Sequence, residues 1–404
     1  MKDLPACGMS FCGYHNMFST PAAMNWIGAM FAIAGAAVLI FAAPFPRVVR
    51  YLMASSYYVV YQYAVVARPY VMLLLFGAIA AMFYRRRNTL GVAVAVALLC
   101  GISLHGAILG GATACGVIWH LFIRRDWVSE SPLRLRLALG IVSLSAIMVV
   151  VMAFPAADVA ATKNLWSNVP PNATLLLDDV AVEPWPIGAV LLLMLGSFVV
   201  WRKEIVVFAL GVGGLMLFET CLYGMPQHRG AVVVALIVSL WVAWPGQSET
   251  WAARVTLLVA VILGAVFAIQ TSWAVSAWRH DFHSPYSGAK DAAKYLHDVG
   301  ADKTRIFGFS IPIVAIQPYY DRNIFENWPT SYLHHSKQSE AAVGFLDNAD
   351  FPDYIVVPVQ DGKEAPIAGG LMQRGYSLVH VSPGEIFFKQ GVWVTETFYI
   401  YRRR

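Results

Sequence analysis

The sequence predicts a polytopic α-helical membrane protein of about ten transmembrane helices, followed by a small C-terminal extracytoplasmic α/β domain. Three observations predict it. Of 404 residues, 58% are hydrophobic and 13% charged, and the mean hydropathy is +0.59, too apolar for one water-soluble core. The basic residues behind the formal charge of +5 sit in short clusters between long apolar runs, a pattern of membrane topology that argues against nucleic acid as a partner. From Ser284 onward the apolar runs shorten and charges and turn residues return.

A spanning helix needs roughly 20 apolar residues to cross about 30 Å of hydrocarbon at about 1.5 Å per residue. Runs that qualify or nearly do are Ala23 to Ala43, Tyr51 to Val66, Tyr70 to Tyr84, Leu90 to Leu104 and Ala107 to Ile123. They continue with Leu135 to Phe154, Ile187 to Trp201, Ile205 to Leu222, Ala231 to Trp244 and Val255 to Ala277. If these alternate sides, Arg47, Arg50, Arg85 to Arg87, Arg124, Arg125, Arg134, Arg136, Arg202, Lys203 and Arg254 share one face, and only Arg68, Lys163 and Arg229 fall in the opposite short loops. The basic face is then the cytoplasmic one, as expected of a bacterial inner-membrane protein. The loop from Pro155 to Pro186 and everything after Trp278 are then outside. The start of the chain falls outside too, without a signal peptide, which implies an earlier helix upstream. Residues 1–278 form the transmembrane domain and residues 279–404 the soluble one. Cys7, Cys12, Cys100, Cys115 and Cys221 have no metal-ligand spacing.

In the soluble part, Ser287 is placed to cap a helix whose apolar face is Ala289, Ala292, Ala293 and Leu296. Strands are expected at Arg305 to Phe309, Asp353 to Val359, Ser377 to Val381, Glu385 to Lys389 and Thr395 to Tyr401, with helices near Ser339 to Leu346 and Ile367 to Arg374.

Polar residues that interrupt the apolar pattern gather at the expected outer face. Arg68 precedes Pro69, which favours a helix break, and its guanidinium matches phosphate oxygens or anchors the chain among headgroups; Tyr63 and Tyr70 flank it. His228 and Arg229 share a short loop suited to phosphate or sugar hydroxyls. Glu219 is an acid within an apolar helix, a costly placement that points to a cavity or a partner. His105 lies between two predicted helices and reaches the same face. In the outer loop, Asp178 and Asp179 offer adjacent carboxylates for a general base or a divalent metal, the one cofactor these residues suggest, or simply solvate the loop.

The run Tyr63-Ala64-Val65-Val66-Ala67-Arg68-Pro69-Tyr70 resembles a juxtamembrane pattern of polytopic C-type-fold glycosyltransferases, above all the bacterial family-39-like group. Pro44-Phe45-Pro46, the His228-Arg229 pair and the stretch Pro285 to Leu296 add to the resemblance. It implies transfer of a sugar from a polyprenyl-phosphate donor to a glycan, lipid or protein acceptor outside the membrane, with Arg68 against the lipid phosphate and His228 and Arg229 assisting. The family's acidic base lies in an outer loop between the first two helices, and Asp3 lacks its surroundings. The resemblance therefore implies a chain without that base, inactive unless Asp178 or Asp179 replaces it. A transporter or flippase of lipid-linked substrate, a non-catalytic membrane subunit and a truncated remnant stand as the alternatives.

Overall fold

The computed structural model describes residues 21–64, 70–125, 127, 131–153, 169–221, 226–246, 253–309, 311–327, 351–360, 363–364 and 368–404. Arg68, Cys7, Cys12, Asp3 and the expected helix at Ser339 to Leu346 lie outside the described residues. The chain divides into two compact units, one reaching Ala274 and one running from Val275 to Arg404.

The first unit is helical. Its described helices are Pro21–Ala42, Arg47–Ala54, Val71–Arg85, Thr89–Cys100, Leu104–Ile118, Pro132–Ala153, Val169–Val180, Trp185–Trp201, Ile205–Phe208, Gly214–Cys221, Pro226–Ala243 and Ala253–Asp281. π-Helical stretches at Tyr57–Tyr63, Trp119–Arg124 and Ala209–Gly213 extend or join them. Among the described residues four helices are long and apolar enough to cross a membrane: Asn25–Ala42, Leu104–Arg124, Pro132–Val151 and Ala253–Asp281. A fifth arises if Asn172–Val180 and Trp185–Trp201, bent by 66°, count as one. The expected ten is thus reduced by length and composition. Val71–Arg85 and Thr89–Cys100 have 15 and 12 residues, short of the roughly 20 that a full crossing needs. Asn88 starts the second of these by accepting from the Gly91 amide, and a turn at Gly101 ends it before Ser103 caps the next helix.

Two further expectations change. The run Tyr51 to Val66 is not one helix, because it breaks at Ser55 and Ser56 into an amphipathic helix and a π-helical turn that buries Tyr57, Tyr58, Tyr61 and Tyr63. Part of the loop expected at Pro155 to Pro186 is the helix Val169–Val180, so Asp178 and Asp179 stand on a packed helix end rather than in a solvated loop. Asn172 there donates its amide to the Thr220 carbonyl at 3.2 Å.

The helix Pro226–Ala243 is the axis of this unit. Every residue from His228 to Trp244 is buried, which is the signature of a helix surrounded by others. Arg85 donates to the carbonyls of Trp241 (3.1 Å) and Trp244 (2.7 Å), and Arg202 to that of Ala243 (3.0 Å). These cations satisfy the orphan carbonyls at its C-terminal end. Its N-terminal end carries His228 and Arg229.

The second unit is a small α/β domain. Strand β1 (Ile306–Gly308) pairs parallel with β2 (Tyr354–Gln360), and β7 (Thr397–Arg403) lies antiparallel between β2 and β4 (Tyr376–Ser382). β3 (Lys363–Glu364) pairs antiparallel with the end of β2, and β5 (Glu385–Phe388) and β6 (Gly391–Thr395) form a separate hairpin. The strand expected at Thr395 to Tyr401 spans the break at Glu396 between β6 and β7. Side chains alternate across the sheet, so Ile306, Tyr354, Val356, Phe398 and Ile400 meet the helix Ala289–Asp298 through Ala289, Ala292, Ala293 and Leu296. Phe307, Ile355, Val357, Tyr376 and Tyr401 form a second core on the other face. Gly288 occupies the N-cap of that helix, while the Ser287 hydroxyl accepts from the Ala289 amide at 3.2 Å.

Candidate functional site

Three helix beginnings and one helix end supply the side chains of a buried polar cluster in the helical unit. Ser103 caps Leu104–Ile118 by accepting from the Gly106 amide, which fixes His105 in the first turn. Gly106 has to lack a side chain, since a Cβ there would stand 2.1 Å from the Leu99 carbonyl oxygen. That close approach of two helices brings His105 inward. Its Nε2 lies 2.5 Å from Oε1 of Glu219, near the end of Gly214–Cys221. Glu219 is 1% exposed, and its Oε2 has no hydrogen-bond partner among the described residues.

His228, in the first turn of Pro226–Ala243, completes the group: its ring centre is 5.1 Å from that of His105. The ring of Tyr70, at the start of Val71–Arg85, stands edge-on to both, 5.2 Å from His105 and 5.3 Å from His228. Phe218 packs edge-on to His105 at 5.1 Å. Ligand atoms of His105, Glu219 and His228 all lie within 4.8 Å of one another, and all three residues are buried.

Next to this group Arg229 forms a buried ion pair with Asp179 and reaches the Leu175 carbonyl at 3.4 Å. Gln270 holds the end of the Asp179 helix by donating to the Val180 carbonyl at 3.1 Å. Tyr58 and Tyr63 lie over Gly230, where a Cβ would stand 2.5 Å from both the Tyr58 ring and the Tyr63 hydroxyl. Tyr63 also contacts Tyr70, with ring centres 5.7 Å apart. The amide ends of three helices make the surroundings favourable to an anionic group, and Arg229 is already neutralised by Asp179.

The structure therefore brings Tyr63, Tyr70, His105, Asp179, Glu219, His228 and Arg229 into one region, with Asp178 adjacent in the chain to Asp179 and half-buried. Asp179 is engaged by Arg229, and among the described residues the group whose ligand atoms are close enough together to hold a metal ion is His105, Glu219 and His228. Tyr58 and Phe218 also belong to the region, and nothing in their local sequence marks them.

A second polar cluster lies at the opposite ends of the same helices. Glu204 accepts from the Tyr84 hydroxyl (3.1 Å) and lies 3.0 Å from Nε2 of His120, whose ring stacks on Trp127. Fifteen positions separate His105 from His120, and likewise Glu219 from Glu204, so the clusters stand about 22 Å apart along those helices. The visible signal was a histidine inside the apolar run Trp119 to Ile123 and an acid following Arg202 and Lys203. Compared with protein-family models, curated proteins and solved structures, the chain matches none of them.

Proposed function

We propose that this chain is a polytopic protein of the bacterial inner membrane that transfers a sugar from a polyprenyl-phosphate donor at its extracytoplasmic end. The observation that carries the reading is the convergence of His105, His228, Arg229 and Tyr70 on the positive ends of three helices, at one end of an apolar bundle. The outer surface of the helices supports lipid as their solvent. Only 11% of Pro132–Val151 is buried, and Leu137, Leu144, Ile147 and Val150 point outward. Arg85, Arg124 and Arg202 stand at the far end, as a cytoplasmic face requires.

In this topology the four shorter apolar helices Val71–Arg85, Thr89–Cys100, Ile205–Cys221 and His228–Ala243 also cross. The stretch from Arg47 to Tyr63 crosses as a helix and π-turn, and with it the count returns to about ten. The C-terminal unit is then extracytoplasmic.

The reaction is displacement at the anomeric carbon. An acceptor oxygen attacks, the bond from carbon to the phosphate oxygen breaks, and the polyprenyl phosphate leaves with its charge stabilised by His228 and the amide ends of the three helices. The acceptor proton is assigned to Asp178, next to Asp179 at the same helix end. Membrane vesicles carrying the chain and given radiolabelled polyprenyl-phosphate hexoses and pentoses are expected to show labelled acceptor. Asp178→Asn should lower that rate by about 100-fold or more. Absence of label from every donor refutes the transferase reading, and movement of the intact donor across the bilayer favours the carrier.

A further inference from the structure

We propose that His105, Glu219 and His228 bind a divalent transition-metal ion of the zinc class. Three features of the cluster carry this, none of which depends on the transferase reading. First, the ligand types fit. Two imidazoles and one carboxylate are an N,N,O set suited to zinc, cobalt or nickel and poorly suited to magnesium or calcium, which take oxygen ligands. Second, the spacing fits. The three ligand atoms lie within 4.8 Å of one another. Tetrahedral bonds of about 2.0 to 2.1 Å place ligand atoms roughly 3.3 Å apart. The His105 to Glu219 contact of 2.5 Å needs to open by less than an ångström, and the remaining gap to close, both within reach of side-chain rotation.

Third, the site is built and incomplete without a guest. Glu219 is 1% exposed and presents an oxygen, Oε2, with no hydrogen-bond partner among the described residues. A buried carboxylate oxygen left bare costs free energy that a cation recovers. Tyr70 packs edge-on against both imidazoles and Phe218 against that of His105, lining the cluster with aromatic rings. Arg229 does not repel the ion as a bare charge, because Asp179 neutralises it.

Three protein ligands leave one coordination position open, the arrangement of reactive rather than purely structural zinc sites. Two neutral histidines, one carboxylate and a divalent ion leave a net positive charge, so the open position favours an anionic oxygen such as that of a phosphate ester.

The test uses the full chain purified in detergent, stripped with a chelator and given one equivalent of Zn²⁺ or Co²⁺. The wild-type chain is expected to retain one metal per chain through gel filtration, measured by elemental analysis, and Co²⁺ to give the visible absorption of a four-coordinate site. Glu219→Gln keeps the side-chain shape, and together with His228→Ala it should weaken binding by about 100-fold or more, beyond the loss typical of outer-shell changes. His297→Ala and His380→Ala, in the other unit, should bind as the wild type does. The unfolding temperature of each variant without metal separates loss of ligand from loss of fold. Failure of the folded wild-type chain to retain Zn²⁺ or Co²⁺ overturns the proposal, and so does undiminished binding by folded Glu219→Gln and His228→Ala.

Discussion

Replacing Asp179 with asparagine leaves the guanidinium of Arg229 in place and removes its counter-charge. The two side chains are 3% and 6% exposed, so water cannot substitute for the lost carboxylate. Removing one partner of such a pair typically costs about 3 to 5 kcal/mol, because the remaining charge stays buried. The Leu175 carbonyl is a weak replacement, since its contact with Arg229 is already long at 3.4 Å. For a unit of some 250 residues, each kcal/mol lowers the unfolding temperature by roughly 2 to 4 °C, so a drop of about 6 °C or more is expected in detergent. The double variant Asp179→Asn with Arg229→Met removes both charges and should recover much of the loss. Asp179→Asn unfolding within 1 or 2 °C of the wild type would refute the pair's role in holding the site.

Gly230→Ala pushes a methyl into Tyr58 and Tyr63 and should cost about 1 to 3 kcal/mol and disturb the histidine cluster, whereas Gly111→Ala, with nothing near its Cβ, should be neutral or stabilising by less than about 1 kcal/mol. Thermal unfolding of both variants checks this. Arg85→Ala strips two carbonyls at the end of the axial helix of a charged donor and should destabilise by about 2 kcal/mol, seen as faster amide exchange near Trp241 and Trp244. In the C-terminal unit, burial pushes the Asp291 carboxyl up, but the hydrogen bond from His380 and the charges of His380 and Lys294 outweigh it and hold it below its ordinary 3.8. Its contribution to stability is present above the unfolded value and is lost as pH falls through the lower folded value. Unfolding of that unit measured from pH 5 downward should therefore fall off less steeply in Asp291→Asn than in the wild type. The Tyr320 phenol is pushed up to about 12 by burial and by Asp302 and Asp298, so an ultraviolet titration should find a tyrosine still protonated at pH 11.

Much of the site was legible because a charged or histidine residue inside an apolar run is expensive unless it has a partner. That cost singles out Glu219, while His105, His228 and Arg229 interrupt the apolar pattern at the same expected face. The contacts between them are not legible. They depend on Gly106 and Gly230 admitting neighbours closer than any side chain permits, and a glycine in a sequence does not say what approaches it. Asp179 reads as a loop residue because it falls between the apolar runs that end at Phe154 and begin at Ile187, yet the prolines Pro170 and Pro171 stand in the first turn of a helix, where a missing amide is tolerated. The Tyr84, His120 and Glu204 cluster has a weaker signal, because Glu204 directly follows the cations Arg202 and Lys203 and an acid beside them needs no buried partner. In the C-terminal unit the alternation of strand residues against the helix of Ala289, Ala292, Ala293 and Leu296 carried the sheet well. It misplaced the last strand because Thr395 and Thr397, both good strand formers, flank the break.

A photoreactive polyprenyl phosphate, crosslinked to the chain in membrane vesicles and mapped by mass spectrometry, measures most directly whether the histidine and arginine end of the bundle receives a lipid phosphate. Crosslinks on the segments carrying Tyr70, His105 and His228, reduced by His228→Ala and competed by unlabelled polyprenyl phosphate, are the expected result. Crosslinks confined to the Tyr84, His120 and Glu204 end, or spread over the apolar surface and unaffected by competitor, contradict it.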